Sequence, residues 1–154
     1  MDAAWTDRLQ VVDTVYRFAA AIDTRDWAGY RALFTDDITI DYSSYRPGSA
    51  GRMAADEWVA RATRLFPGLD ATQHCLFNPR ATIGVDGATC ESYVRAEHAL
   101  DGALYTIGGR YTHGLIRTAG SWRINHVALR VAWTQGDPAV LEQARQRAER
   151  DVSG

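Results

Sequence analysis

A run of four strand-like segments joined by turn residues alone constrains the fold of this chain more than any other feature. The segments cover 72–83, 88–100, 103–117 and 121–133, and between them stand Asp86-Gly87, Asp101-Gly102 and Ala119-Gly120. The pattern reads as an antiparallel meander. Asp-Gly dipeptides supply the positive φ angles of tight hairpins, so two of the three turns carry a physical reason as well as a composition.

Ahead of the meander the periodicity is helical. Trp5, Leu9, Val12, Tyr16 and Ala19 recur at alternating steps of four and three, flanked by Val15, Phe18 and Ile22, and predict an amphipathic helix over 5–23. A shorter helix is expected over 27–34, with Asp26 or Thr24 capping its free N–H groups. Residues 37–42 alternate polar and apolar as a strand does, and 43–52, rich in Ser and Gly with Pro47, reads as a loop. A third helix over 55–66 buries Trp58, Val59, Ala62 and Leu65 or Phe66, and Pro67-Gly68 stops it. The stretch 138–150 reads as a polar, arginine-rich helix with little apolar face beyond Val140 and Leu141, frayed or packed on a partner subunit.

Three helices before a twisted sheet give an α+β domain in which the sheet curls around the long helix. The expected shape is a cone-shaped α+β barrel, with three N-terminal helices packed in a strongly curved, mainly antiparallel sheet. Its interior opens at one end, into a pocket lined by the helix, the loop after Tyr42 and one strand face. A length of 154 residues, 46% of them hydrophobic, suits one domain over 1–154, with 138–154 a polar C-terminal tail or helix.

Composition removes several chemistries. All 17 Lys+Arg residues are arginines, so no Schiff base forms on this chain, and pyridoxal, lysine-aldolase and Lys-dependent phosphate-loop chemistry are excluded. The 17 basic and 19 acidic residues are scattered, leaving no stripe for nucleic acid or an anionic membrane. Cys75 and Cys90 fall in strands without CxxC spacing and are read as reduced thiols. His-x-His and HExxH are missing, so a metal is not expected, and without GxSxG or GxGxxG neither nucleophilic hydrolysis nor dinucleotide binding has local support. The start, MDAAWTDRLQ, has no basic n-region, and no stretch approaches the ~18 apolar residues of a membrane helix; a cytoplasmic protein is expected.

Asp23 is the most informative residue. It continues the four-three stripe, which aims a carboxylate toward the buried face, where an unpaired charge costs several kcal/mol. The alternative is that the helix ends by residue 22 and Asp23 caps the next one. His74 shares a strand face with Leu76 and is the natural partner: a carboxylate would fix its tautomer and stabilise the imidazolium, as a general base near neutral pH requires. His98 shares the face of Cys90, Ser92, Val94 and Ala96. His126 reads as core or interface, and His113, after the polar Arg110-Tyr111-Thr112, as solvated. Tyr42 and Tyr45 stand where a phenol polarises a carbonyl at a pocket mouth; Tyr16 is a further candidate, and Tyr30 is core or pocket.

Four runs together resemble a family: Ala21-Ile22-Asp23-Thr24-Arg25-Asp26-Trp27, Ile40-Asp41-Tyr42-Ser43-Ser44-Tyr45, Thr72-Gln73-His74, and Tyr93-Val94-Arg95-Ala96-Glu97-His98. Their order and spacing resemble scytalone dehydratase and its SnoaL-like relatives in the nuclear transport factor 2-like superfamily, over roughly residues 8 to 135. The resemblance implies the cone-shaped fold, catalysis without metal or organic cofactor, and assembly as homo-dimers or homo-trimers. It places the helix Asp that orients a sheet His on Asp23 and His74, the second histidine on His98, and the carbonyl-polarising tyrosine on Tyr42. A partner tyrosine falls on Ile22 and is missing, while a serine and an asparagine fall on Gly109 and Tyr111. These departures argue against scytalone itself as substrate and leave the proton-transfer machinery in place.

The expected function is a cofactor-independent, dehydratase-like lyase, in which an Asp-His pair abstracts a proton beside the carbonyl of a hydrophobic cyclic or polyketide-like molecule. Tyr42 would stabilise the enolate, and His98, or His74 once protonated, would assist the leaving hydroxyl. A SnoaL-like cyclase or ketosteroid-isomerase-like isomerase shares that first step; a non-catalytic small-molecule-binding module is the alternative from another class. Tyr16, Tyr45, Met53, Leu76, Tyr111 and Val127 are expected to line the substrate pocket. No arginine is assigned to it, so a neutral substrate is expected.

Overall fold

The computed structural model describes residues 3–152. In chain order it contains α1 (Ala3–Thr24), α2 (Trp27–Ala32), β1 (Phe34–Asp41), β2 (Ala50–Ala54), α3 (Ala55–Thr63), a single 3-10 turn (Phe66–Gly68), β3 (Ala71–Ile83), β4 (Ala88–Leu100), β5 (Ala103–Thr118), β6 (Ser121–Gln135) and α4 (Ala139–Val152). The six strands form one sheet in the order β2-β1-β6-β5-β4-β3. Every neighbouring pair is antiparallel except β1 and β6. Helix α1 packs on β3, β4 and β6 of this twisted sheet, whose edge strands β2 and β3 do not pair, so the sheet does not close. No helix among the described residues is long and apolar enough to cross a membrane.

The meander follows the expected segments to within two residues, but its turns work differently. Asp101-Gly102 (φ 50° and 79°) and Ala119-Gly120 (φ 50° and 82°) are the two positive-φ hairpins. Asp86-Gly87 belongs to a longer loop, in which the Gly84 N–H donates to the Gly87 carbonyl at 2.8 Å. An alanine therefore takes a left-handed position that an Asp was expected to need.

The buried face of α1 is rotated by about one residue from the expected stripe. Val11, Val15, Phe18 and Ile22 are buried, while Trp5, Leu9 and Tyr16 remain about half exposed. The two stripes share the same period, and the one richer in purely aliphatic and Phe side chains meets the sheet. Phe18 anchors the core, with its ring against Tyr30 (5.4 Å), Tyr111 (5.7 Å) and His113 (4.8 Å). His113, expected in solvent, is wholly buried, because the strand period places it with Tyr111 and Leu115 on the inner face of β5.

Other boundaries moved as well. Helix α2 ends at Ala32, and β1 begins at Phe34, three residues early. The loop after Tyr42 is shorter than expected because Ala50–Ala54 forms β2, paired antiparallel to β1 with Ile38 opposite Met53. Helix α3 stops at Thr63, and Phe66 starts the 3-10 turn. Helix α4 has more apolar face than expected and packs on its own chain: Val140, Ala144 and Ala148 form a buried stripe. Its close approach needs Gly68, since a Cβ there would lie 1.8 Å from the Ala144 carbonyl oxygen. Arg147 then ties the helix to Asp70 (2.7 Å) and Asp101 (2.5 Å).

Candidate active site

The end of α1 and the start of β3 meet over one carboxylate. Helix α1 closes with the Asp26 N–H on the Ala21 carbonyl (2.9 Å) and the Arg25 N–H on the Ile22 carbonyl (3.2 Å), which leaves Asp23 in the last turn facing β3. The His74 ring places Nδ1 2.7 Å from Asp23 Oδ1, the His74 backbone N–H donates to Oδ2 at 2.8 Å, and the Thr72 hydroxyl donates to Oδ1 at 3.0 Å. Burial alone would raise the Asp23 pKa. Hydrogen bonds from the His74 ring and backbone, the His74 charge and the Thr72 hydroxyl outweigh it and hold the carboxyl below its ordinary value. An ionised Asp23 can only accept, so a proton sits on Nδ1 and Nε2 is the nitrogen that faces away from the carboxylate. The His74 side chain is 4% exposed and lines a cavity, where Nε2 is the nitrogen left to act.

His98 stands edge-on to His74, with ring centroids 5.7 Å apart. Its Nδ1 lies 3.1 Å from the Tyr105 carbonyl oxygen, so that nitrogen is also the protonated one. Burial, then the nearby His74, push its pKa down to about 4, and the ring is neutral near pH 7. Phe66 stacks on His98 (6.3 Å) and meets His74 edge-on (5.8 Å), fixing both rings against one wall.

Opposite them is a tyrosine group. The Tyr42 hydroxyl donates to the Tyr111 hydroxyl at 3.2 Å, and the Trp58 ring N–H donates to the Tyr30 hydroxyl at 2.9 Å. Burial pushes the Tyr30, Tyr42 and Tyr111 pKa values above the ordinary phenol range, so all three stay protonated. The cavity enclosed by these groups is about 270 Å³, small by the standard of drug-sized sites.

Of the residues selected from sequence, Tyr42, Tyr45, His74, His98 and Tyr111 line this cavity, and Asp23 stands behind His74. Four others do not reach it. Tyr16 is on the exposed side of α1, and Val127 of β6 is sealed in the core. Met53 on β2 and Leu76 on β3 pack against the main hydrophobic core instead. Residues that sequence reasoning did not select complete the walls: Trp58, Phe66, Ile107 and Leu129. Trp58 and Phe66 already carried a signal, as large aromatics on a short helix and its stop. Arg46 and Arg61 also line the cavity, which overturns the expectation of a pocket without arginine. Ile22 lines it where the family resemblance led to a missing tyrosine. Gly109 offers no side chain because a Cβ there would lie 2.3 Å from the Arg130 carbonyl oxygen.

A family model described as a SnoaL-like domain matches residues 3–128. Terrestric acid biosynthesis cluster protein E of Penicillium crustosum is 28% identical over 148 residues, covering 90% of this chain and 91% of that protein. Dehydratase cfoI of Aspergillus candidus is 31% identical over 153 residues, covering 87% of each. The crystal structure of the Kfla4162 protein from Kribbella flavida superposes with a TM-score of 0.82 at 29% identity, over 92% of this chain and 99% of that one. The curled sheet around one long helix, the cavity at its open end and a family match across most of the chain make this protein a member of the SnoaL-like domain family.

Proposed function

We propose that this protein is a cofactor-independent lyase that removes water from a hydrophobic cyclic β-hydroxy ketone of polyketide type. The observation that carries the reading is the 2.7 Å contact between Asp23 Oδ1 and His74 Nδ1 in the wall of a largely apolar cavity. The likeness to a relative named a dehydratase supports the reaction class.

In this mechanism His74 Nε2 takes the proton α to the carbonyl, and the C–H electron pair moves into the enolate. Asp23 stabilises the imidazolium that results. Tyr111 supplies the hydrogen bond to the developing oxyanion. Its oxygen already accepts from Tyr42, so its own proton is the one left to point at a ligand. The enolate then expels the β-hydroxyl, His74 returns its proton to the leaving oxygen, and water departs from a conjugated enone. His98 is neutral near pH 7 and serves at Nε2 as a hydrogen-bond acceptor for the leaving group, not as a cationic acid. Ile22, Phe66 and Leu129 exclude water from the enolate.

A panel of bicyclic β-hydroxy ketones, followed by mass spectrometry and ¹H NMR, tests this. Loss of one water, abolished in His74→Ala, is the expected result. Conversion at unchanged mass would replace the lyase with an isomerase or cyclase that uses the same first step. Binding without any chemistry at the α-carbon would leave only a small-molecule-binding module.

A further inference from the structure

Arg25 occupies a position that its residue type should avoid. It is the residue that terminates α1 in the left-handed region, with φ 61°, where glycine is the usual choice because a Cβ is strained there. Strain of this kind persists when surrounding contacts over-determine it. The contacts are present: one guanidinium nitrogen, Nη1, donates to the Ile22 carbonyl and to the Thr72 hydroxyl oxygen, both at 2.7 Å. The guanidinium carbon also lies 5.8 Å from the centre of the Phe66 ring, the ring that braces both cavity histidines.

The consequence lies in the polarity of one hydroxyl. A guanidinium only donates, so Thr72 must receive from Arg25 on a lone pair, and its single proton is left for Asp23 Oδ1 at 3.0 Å. Both Asp23 oxygens are then held, Oδ1 by Thr72 and the His74 ring and Oδ2 by the His74 backbone. Rotation of the carboxylate away from Nδ1 would break at least two of these bonds. We infer that Arg25 is a positioning residue that acts through Thr72 to hold Asp23 in register with His74; the inference rests on the proposal that this pair performs the proton transfer.

Two variants separate this role from helix termination. Arg25→Asn keeps a residue that tolerates positive φ while removing the guanidinium. Thr72→Val breaks the relay and leaves Arg25 itself, with its bond to the Ile22 carbonyl, at the end of α1. The probes are exchange of the α-hydrogens of β-tetralone in D₂O and the His74 Nδ1 proton resonance, assigned by its loss in His74→Gln. Each variant should slow exchange by about tenfold or more with little change in KM, and should broaden or abolish the resonance. The double variant should be no slower than the worse single one, because both cut one linkage. A folded Arg25→Asn protein with wild-type exchange and an unchanged resonance would overturn the inference, as would a change confined to the thermal midpoint. If Asp23→Asn is inactive while Arg25→Asn is not, only the role of Arg25 falls. If Asp23→Asn keeps full activity, the dyad itself falls. The resonance is read without substrate, so it decides the role of Arg25 even if β-tetralone is not turned over.

Discussion

The imidazole rings of His74 and His113 are both nearly closed off from solvent, yet their surroundings differ in every respect that matters for chemistry. His74 has a carboxylate on Nδ1, a backbone bond to the same carboxylate and a cavity beside it. His113 has neither ring nitrogen hydrogen-bonded and is packed between Phe18 and Tyr111. Burial, with a smaller contribution from His126, pushes the His113 pKa down to about 3. A buried imidazole is therefore not a catalyst by virtue of burial. His74 has a carboxylate to receive its Nδ1 proton, whereas His113 has no group to offset the cost of a buried charge and stays neutral.

The largest expected effect comes from making His74 resemble His113. Asp23→Asn keeps the shape but removes the charge, and turnover should fall by about 10²–10⁴-fold, with far-UV circular dichroism unchanged. A smaller loss, about 10²-fold, is expected for Tyr111→Phe, which removes the hydroxyl proposed to meet the oxyanion. Tyr42→Phe should cost less than Tyr111→Phe, because it acts from behind; steady-state kinetics on one substrate ranks the pair. The converse change, His113→Leu, should leave turnover within a factor of two. It should raise or preserve stability in urea unfolding, since two unsatisfied buried nitrogens, worth about 1–3 kcal/mol each when stranded, are removed.

The smallest effect is in pH dependence. An unfolded histidine has a pKa of about 6.5, whereas folded His113 sits at about 3 and folded His98 at about 4. Between those values the unfolded chain binds more protons, so stability is lost as pH falls below about 6.5. Urea midpoints at pH 7 and pH 5 should differ less in His113→Leu than in wild type. Asp23 has the same sign in a lower window: its lowered pKa adds stability above the ordinary carboxylate value, lost as pH falls through the folded one.

Much of the architecture was readable because the meander strands are long, β4 alternates strictly, and short turn signals separate them. The strand β2 was not, since Ala50-Gly51-Arg52-Met53-Ala54 contains no β-branched residue to mark it. The pairing of Asp23 with His74 was legible, though for a partly wrong reason. The stripe that pointed to Asp23 is not the one that faces the sheet, and the residue reaches His74 from the edge of the buried face. The rotation also explains why Tyr16 points away from the cavity. His113 followed polar neighbours in sequence, but period two sets it beside Tyr111 and Leu115. Arg46 and Arg61 come from a loop and a helix, whose convergence on one cavity is a tertiary fact with no local pattern. In α4, Ala144 and Ala148 were too small to read as an apolar face, and Gly68 lets the backbone approach closely at Ala144.

On the proposed mechanism His74, and not a buried imidazole in general, moves the proton. Deuterium incorporation at the α-carbon of β-tetralone in D₂O, followed by ¹H NMR with wild type, His74→Ala and His113→Leu side by side, tests it most directly. Exchange by wild type and His113→Leu at similar rates, and its loss in His74→Ala, is the expected result. Equal rates in wild type and His74→Ala, or a loss confined to His113→Leu, would contradict it.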